Sequence, residues 1–234
     1  MTDGDPAPDG SQGPHVLVAD VAAPTLDDDD RHHLERVLRL RAGDPLTVGD
    51  GAGAWRACRL GSEPDPVGEI QRVTRPTVSL TVAFALIKGG RPEFVVQKLT
   101  ELGVDAIAPF VAARSIVRWD DDRAARHLER FRRVAREAVM QSRQAWLPTV
   151  DPVTDFATVA SLPGAAMADP GGEPVSLGRP TVLVGPEGGW SAEEREVGVP
   201  RVALGPAVLR AETAAVAAGA LFGALRAGLV LPAV

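Results

Sequence analysis

The run Thr181-Val182-Leu183-Val184-Gly185-Pro186-Glu187-Gly188-Gly189-Trp190-Ser191-Ala192-Glu193-Glu194 decides the fold class. Four consecutive apolar or β-branched residues predict a strand buried on both faces, the habit of a parallel sheet. Ser191 and Glu194 have the S-x-x-E spacing of a capping box, so a helix opens at about Ala192. Between strand and helix, Gly188 and Gly189 permit backbone conformations and a close ligand approach that a Cβ would forbid. The turn therefore presents exposed amides at the carboxyl end of a parallel strand, where open α/β sheets bind ligands. The same pattern returns at Leu204-Gly205-Pro206-Ala207-Val208-Leu209-Arg210-Ala211-Glu212-Thr213. Two such loops, after strands expected to be adjacent, would form one crevice. Arg210 and Glu212 are charges at its mouth, open both to an ion pair capping the last helix and to a role in binding.

Working outward, strands and helices alternate from residue 78 onward. The apolar run 78–87 predicts a buried strand, 92–102 a helix stopped by Gly103, and 104–111 a second strand. A long helix over 123–144 buries Leu128, Phe131, Val134, Ala135, Ala138 and Val139, with Arg126, Arg130, Arg133 and Arg136 on its solvated face. Strands at 165–168, 181–184 and 201–204 follow, then a final helix over 212–231. That helix is apolar for nearly a membrane span, but Arg226 interrupts it and its Ala and Gly content suits a core helix packing closely, also across a dimer. Alternation of this kind implies an α/β fold, a mostly parallel sheet with helices on both faces.

Residues 15–75 have another texture. Short strands at 15–20, 45–48, 55–60 and 69–73 are separated by glycine-rich turns, with one helix at about 29–40 whose Leu34, Val37 and Leu38 face inward. A small β-barrel is expected. Its Gly49-Asp50-Gly51-Ala52-Gly53 is followed by a strand pattern, so it reads as a hairpin turn and not as a phosphate loop. Residues 1–14 are Gly, Pro and Asp with little to bury and are expected to be a disordered tail, which sets domains at 1–14, 15–75 and 76–234.

The formal net charge is −6 and the pI about 5.3, which taken whole argues against a nucleic-acid partner. The distribution reverses that. Residues 1–30 hold eight acids and no Lys or Arg, whereas residues 31–143 hold 20 bases against 14 acids. The one cysteine, Cys58, excludes an internal disulfide, and the four His show no metal-ligand spacing. The start lacks the basic and apolar regions of a signal peptide, so a cytoplasmic protein is expected.

Five segments together resemble the RsmE family, the bacterial 16S rRNA uracil-N3 methyltransferases of the SPOUT superfamily. They are GPEGGWSAEE, LGPAVLRAETAA, residues 88–104 (KGGRPEFVVQKLTELGV), Arg114-Ser115, and the early His32-His33-Leu34-Glu35-Arg36-Val37-Leu38-Arg39. The matches keep order over about residues 15–230. The resemblance implies an N-terminal PUA-like β-barrel, an α/β domain closed by a deep trefoil knot, a homodimer, and S-adenosyl-L-methionine as cofactor. It also implies a cofactor pocket of Val184, Gly185, Pro186, Glu187, Gly188, Gly189, Leu204, Gly205, Val208, Leu209 and Thr213. Candidate catalytic residues are Arg210 and Arg114 for stabilising charge on uracil oxygens and Glu212 for removing the N3 proton; for each a structural ion pair competes. RNA contact falls to His32, His33, Arg36, Arg39 and Arg114, the partner being 16S rRNA of the small subunit, with no metal and no membrane. The chain departs from the family at Ala207, where Arg is usual, at Val208, where Ile is, and at Met140-Gln141-Ser142-Arg143, which stands against Glu-Gln-Ser-Gly-Arg.

Overall fold

A computed structural model describes residues 7–89 and 91–231. The chain divides into two compact units: residues up to Pro76 together with Arg136–Leu147, and Thr77–Ala135 together with Pro148 onward.

The first unit is a sheet of short strands. β1 (His15–Leu17) pairs parallel with β2 (Pro45–Gly49), and β3 (Ala54–Arg59) pairs antiparallel with β2, with β4 (Asp65–Pro66) and with β5 (Gln71–Arg72). β2 and β3 are joined by the glycine segment as a hairpin turn, where the Asp50 carboxylate accepts from the N–H groups of Ala52 and Ala54. Gly51 and Gly53 there have φ of 66° and 99°, the left-handed region that glycine enters freely. Val16, Leu46, Val48, Cys58 and Leu34 form the core. The expected disordered tail is only in part testable, since residues 1–6 lie outside the described residues. Within the rest, Asp9 caps a 3₁₀ turn at Gly10–Gln12, and the carbonyl of Gly13 accepts from Arg143.

The helix expected at 29–40 differs. α1 (Asp28–His32) is capped by Asp27 and runs straight into a π-helical turn, His33–Val37. Its wider winding keeps Leu34 in the core but turns Val37 and Leu38 out, 59% and 44% exposed. His32, His33, Arg36 and Arg39 are exposed beside them. Arg136, expected on a solvated face, instead donates to both oxygens of Asp30 and to the Leu17 carbonyl, so its charge is spent inside the unit.

His15 in β1 is buried, shares a hydrogen bond of 2.9 Å with the Thr47 hydroxyl, and has no partner at Nε2. Burial, helped by the Arg143 charge, pushes its pKa down to about 4. The unfolded chain, with the usual value of 6.5, binds a proton that the folded one refuses, so stability falls as pH drops below 6.5 and the loss levels off below 4. Urea unfolding at pH 7.5 and 4.5 should show about 2 kcal/mol more acid destabilisation in the wild type than in His15→Gln. Equal acid losses in the two proteins would refute a neutral buried imidazole.

The second unit is layered. Its seven-stranded sheet has the order β12-β10-β11-β6-β7-β8, with β9 also on β7 and every pairing parallel. The strands are β6 (Thr81–Ala85), β7 (Ala106–Val111), β8 (Thr149–Val150), β9 (Thr154–Asp155), β10 (Ala165–Pro174), β11 (Thr181–Val184) and β12 (Arg201–Ala203). Alternate residues serve alternate faces. Val82, Phe84, Val182 and Val184 pack against α2 (Arg91–Glu101), α3 (Asp121–Ser142) and α6 (Ala211–Arg226), while Ala83, Ala85 and Leu183 pack with Phe110, Trp190 and α4 (Phe156–Ala160). The predicted mostly parallel sheet with helices on both faces is therefore present.

The apolar helix α6 is a core helix. At Gly219 an added Cβ would lie 2.8 Å from Leu99 and 3.3 Å from Leu102, so its small residues let α2 and α6 approach closely. Arg226, the one charge within its predicted span after the first turn, is bonded to the Asp105 carboxylate and to the carbonyls of Gly103 and Val78. Among the described residues no helix is long and apolar enough to cross a membrane.

Candidate functional site

Sheet order positions the site. From β6 the chain first builds outward to β7, β8 and β9, then returns to lay β11 on the other side of β6 with β10 and β12 beyond. Such a reversal opens a crevice at the carboxyl ends of the strands. Here the loops after β11 and β12, with the bulged part of β10, line a cavity of about 390 Å³.

The loop after β11 is held from several sides. Ser191 caps α5 (Ala192–Glu196) and Glu194 completes the capping box, accepting from the Ser191 N–H. The other Glu194 oxygen accepts from the Ala113 N–H at 2.8 Å, tying this loop to the one after β7. Trp190 stacks on Phe110 at 6.2 Å and 8° and donates its indole N–H to the Ala168 carbonyl at 3.0 Å. Gly189 takes a φ of 66°, while at Gly185 the constraint is space, a Cβ meeting the Trp190 ring at 3.0 Å.

Of the residues assigned to the pocket from sequence, Val184, Gly185, Pro186, Glu187, Gly189, Leu204, Gly205, Val208 and Leu209 line it, as does Arg210. Gly188 and Thr213 do not. Gly188 turns its carbonyl to Arg114, which donates to it at 3.2 Å, and Thr213 is exposed on the first turn of α6, whose Ala211 and Ala214 face the cavity. Glu212 lies off the lining as well. Its Oε1 stands 3.5 Å from Nη1 of Arg91, and its Oε2 is buried with no hydrogen-bond partner. His32, His33, Arg36 and Arg39 all belong to the first unit.

Sequence reading missed further contributors, among them Ala168, Asp169, Pro170, Arg195 and Arg91. Ala168, Asp169 and Pro170 enter because β10 bulges, its register on β12 shifting between Ala168 and Glu173. The backbones come so close there that a Cβ on Gly172 would lie 2.4 Å from Val202 N, and the Gly171-Gly172 pair was the available signal. Arg195 lines the cavity and pairs with Asp169 at 2.5 Å. Burial works against the Asp169 charge, but the Gly171 N–H and Arg195 outweigh it and hold the carboxyl below its usual range. Arg91 opens α2 and reaches Glu187 at 4.0 Å as well as Glu212. It stood inside the segment 88–104, and no spacing within that segment marked it out.

Leu204, Val208, Leu209, Ala211 and Ala214 give the cavity an apolar lining, which also holds the carboxylates of Asp169 and Glu187 and the guanidiniums of Arg195 and Arg210. That lining suits an elongated ligand with an apolar body and charged groups of both signs. Among the described residues no group of three His, Cys, Asp or Glu side chains is placed to hold a metal ion.

Residues 74–223 match the family model of the RNA methyltransferase domain, and residues 26–66 that of the RNA methyltransferase PUA domain. The ribosomal RNA small subunit methyltransferase E of Mycobacterium tuberculosis is 33% identical over 228 residues, 87% of each chain. That of Bacillus subtilis is 31% identical, covering 78% of this chain and 82% of its own. Among solved structures, a Legionella pneumophila methyltransferase in complex with SAM superposes with a TM-score of 0.78 at 25% identity, covering 90% of this chain and 96% of that one. The Neisseria gonorrhoeae ribosomal RNA small subunit methyltransferase E bound to S-adenosyl methionine gives 0.71 at 29% identity, over 88% and 95%. A strand-end cavity in a parallel sheet, met by relatives of this identity over most of both chains, settles the assignment: the chain belongs to the ribosomal RNA small subunit methyltransferase E family.

Proposed function

We propose that the protein transfers a methyl group from S-adenosyl-L-methionine to N3 of a uracil in 16S ribosomal RNA, as a step of small-subunit maturation. The observation that carries this reading is the convergence of the β10 bulge and the loops after β11 and β12 on one largely apolar cavity in a member of this family. The residues present fit the cofactor: Leu204, Val208, Leu209 and Ala214 suit its apolar body, and Asp169 and Glu187 with Arg195 and Arg210 offer both signs to its charged groups. When bound, it supplies an activated methyl on a sulfonium.

The chain's own residues have the remaining tasks. The Gly185–Gly189 turn and Leu204 to Leu209 hold the cofactor, with Thr213 near its edge. Glu212 accepts the uracil N3 proton, and Arg210 and Arg114 stabilise charge developing on the uracil oxygens. His32, His33, Arg36 and Arg39, with Arg114, bind RNA phosphates; the exposed Val37 and Leu38 next to them add apolar surface for bases. The reading carries with it a PUA-like barrel in the first unit, a deep trefoil knot around the β11 and β12 loops, a homodimer and a cytoplasmic site of action. In support of a second copy, Val208, Leu229 and Leu231 are each at least 80% exposed.

The test is methyl transfer from labelled cofactor to small-subunit particles and to naked 16S rRNA, followed by nucleoside digestion and mass spectrometry. N3-methyluridine from one position is the expected product. A ribose-methylated product would move the protein to another target. Binding of S-adenosylhomocysteine without any product would make it an RNA-binding protein without catalysis.

A further inference from the structure

We infer that Arg91 is a positioning residue for proton transfer, holding Glu212 by Oε1 so that Oε2 is left to take the N3 proton of the uracil. The inference rests on the uracil-N3 reading above and adds to it a residue that neither the cavity lining nor the catalytic candidates include.

Two observations meet at this point. The first is placement. β6 and β11 are neighbouring parallel strands in register, Phe84 opposite Val184, so the segment leaving β6 lies beside the turn leaving β11. Arg91 is the first residue of α2 and stands at that junction, 3.5 Å from Glu212 and 4.0 Å from Glu187. A single guanidinium thus joins the β11 turn to the start of α6. The second is the state of Glu212 itself. Its side chain is 16% exposed, and Oε2 is buried without a hydrogen-bond partner. Buried carboxylate oxygens are ordinarily satisfied, and this one belongs to a residue flanked on α6 by Ala211 and Ala214, which line the cavity.

The charged groups around Glu212 are few. Arg91 faces it from α2, Glu187 stands across Arg91 on the β11 turn, and Arg210 precedes it at the cap of α6. The first turn of a helix favours a negative side chain. Arg91 and the helix start therefore both place positive charge beside Glu212, and Glu187 shares the same Arg91. An imide N–H is the donor that Oε2 lacks. In the step, the N3–H proton passes to Oε2, the pair of that bond forms the N3–methyl bond, and the pair of the broken carbon–sulfur bond stays on sulfur. Arg91 moves no proton; it fixes which oxygen is free.

A double-mutant cycle on the full-length protein tests this, using small-subunit particles as substrate and S-adenosylhomocysteine titration calorimetry as a check on folding and cofactor binding. Arg91→Gln is expected to lower kcat by about tenfold or more, with cofactor affinity within about twofold of wild type. Arg91→Lys should recover most of the loss. In the Glu212→Gln background, Arg91→Gln should cost nothing further, because the group it positions is already gone. Should Arg91→Gln lose cofactor binding, the cycle is run with Arg91→Lys, whose smaller loss must vanish in the same background. Additive losses, or an Arg91→Gln enzyme with unchanged kcat, overturn the inference. Failure of the uracil reading is seen separately, since the wild-type product would then not be N3-methyluridine whatever the cycle shows.

Discussion

Glu212→Gln lowers the rate of methyl transfer by roughly two to four orders of magnitude, the range over which a positioned general base acts. The substitution keeps the shape of the side chain and removes only its charge and its capacity to accept a proton. Little else depends on Glu212. α6 is anchored by Ala211, Ala215, Ala218 and Phe222, all in the core, and by Arg226 near its other end. The cavity is lined by Ala211 and Ala214, on either side of Glu212 in sequence but not by Glu212 itself. Loss of a negative charge in the first turn costs the helix about 0.3–1 kcal/mol, far less than the effect on rate. Binding of S-adenosylhomocysteine should consequently stay within about twofold of wild type, a loss confined to kcat being the mark of an interaction made in the transition state. Single-turnover rates with saturating small-subunit particles make the measurement. An unchanged rate would return Glu212 to the role of an ion pair that caps α6.

What the sequence made legible follows from how local each signal is. The β11 turn was readable because its determinants are adjacent: an apolar strand, glycines and a capping box within 14 residues. β11 itself falls on Thr181–Val184, and Glu194 makes the predicted cap. Features set by long-range contact were not readable. The second oxygen interaction of Glu194, with Ala113, spans 81 positions. Arg136 looked like a surface arginine on an amphipathic helix because its partner Asp30 is 106 residues away. Arg91 and the β10 bulge escaped for the same reason, each taking its meaning from a neighbouring strand. The π turn at His33–Val37 escaped for a different one. Its residues carry a helical pattern, while the wider winding accompanies the packing of Leu34 and Leu40 with the first unit's core. The charge balance was legible only after division along the chain, the acids of the first 30 residues concealing the bases that follow.

Gly185→Ala, a change of one carbon, is expected to weaken S-adenosylmethionine binding by about 5- to 150-fold, the equivalent of the 1–3 kcal/mol that overpacking costs. Gly185 has no positive φ, so alanine fits its backbone and the effect is one of space alone. The new Cβ would stand 3.0 Å from Cε2 of Trp190 and 3.2 Å from Cδ2 and Cζ2. That ring has nowhere to go. Phe110 stacks on it, Phe156 leans against it at 5.6 Å, and its N–H is bonded to Ala168, which itself lines the cavity. Displacing Trp190 therefore moves Ala168 of β10 and the β11 turn together, the two walls proposed to hold the cofactor. The prediction has an internal control. Trp190→Phe removes part of the ring system that the Cβ would strike, at the cost of the bond to Ala168. If contact with the indole is the cause, Gly185→Ala should be milder in the Trp190→Phe background than in the wild type, a coupling that calorimetric titration of all four proteins measures. Strictly additive losses would mean that Gly185 is needed for the cofactor's own approach to the backbone, and the steric account through Trp190 would fall.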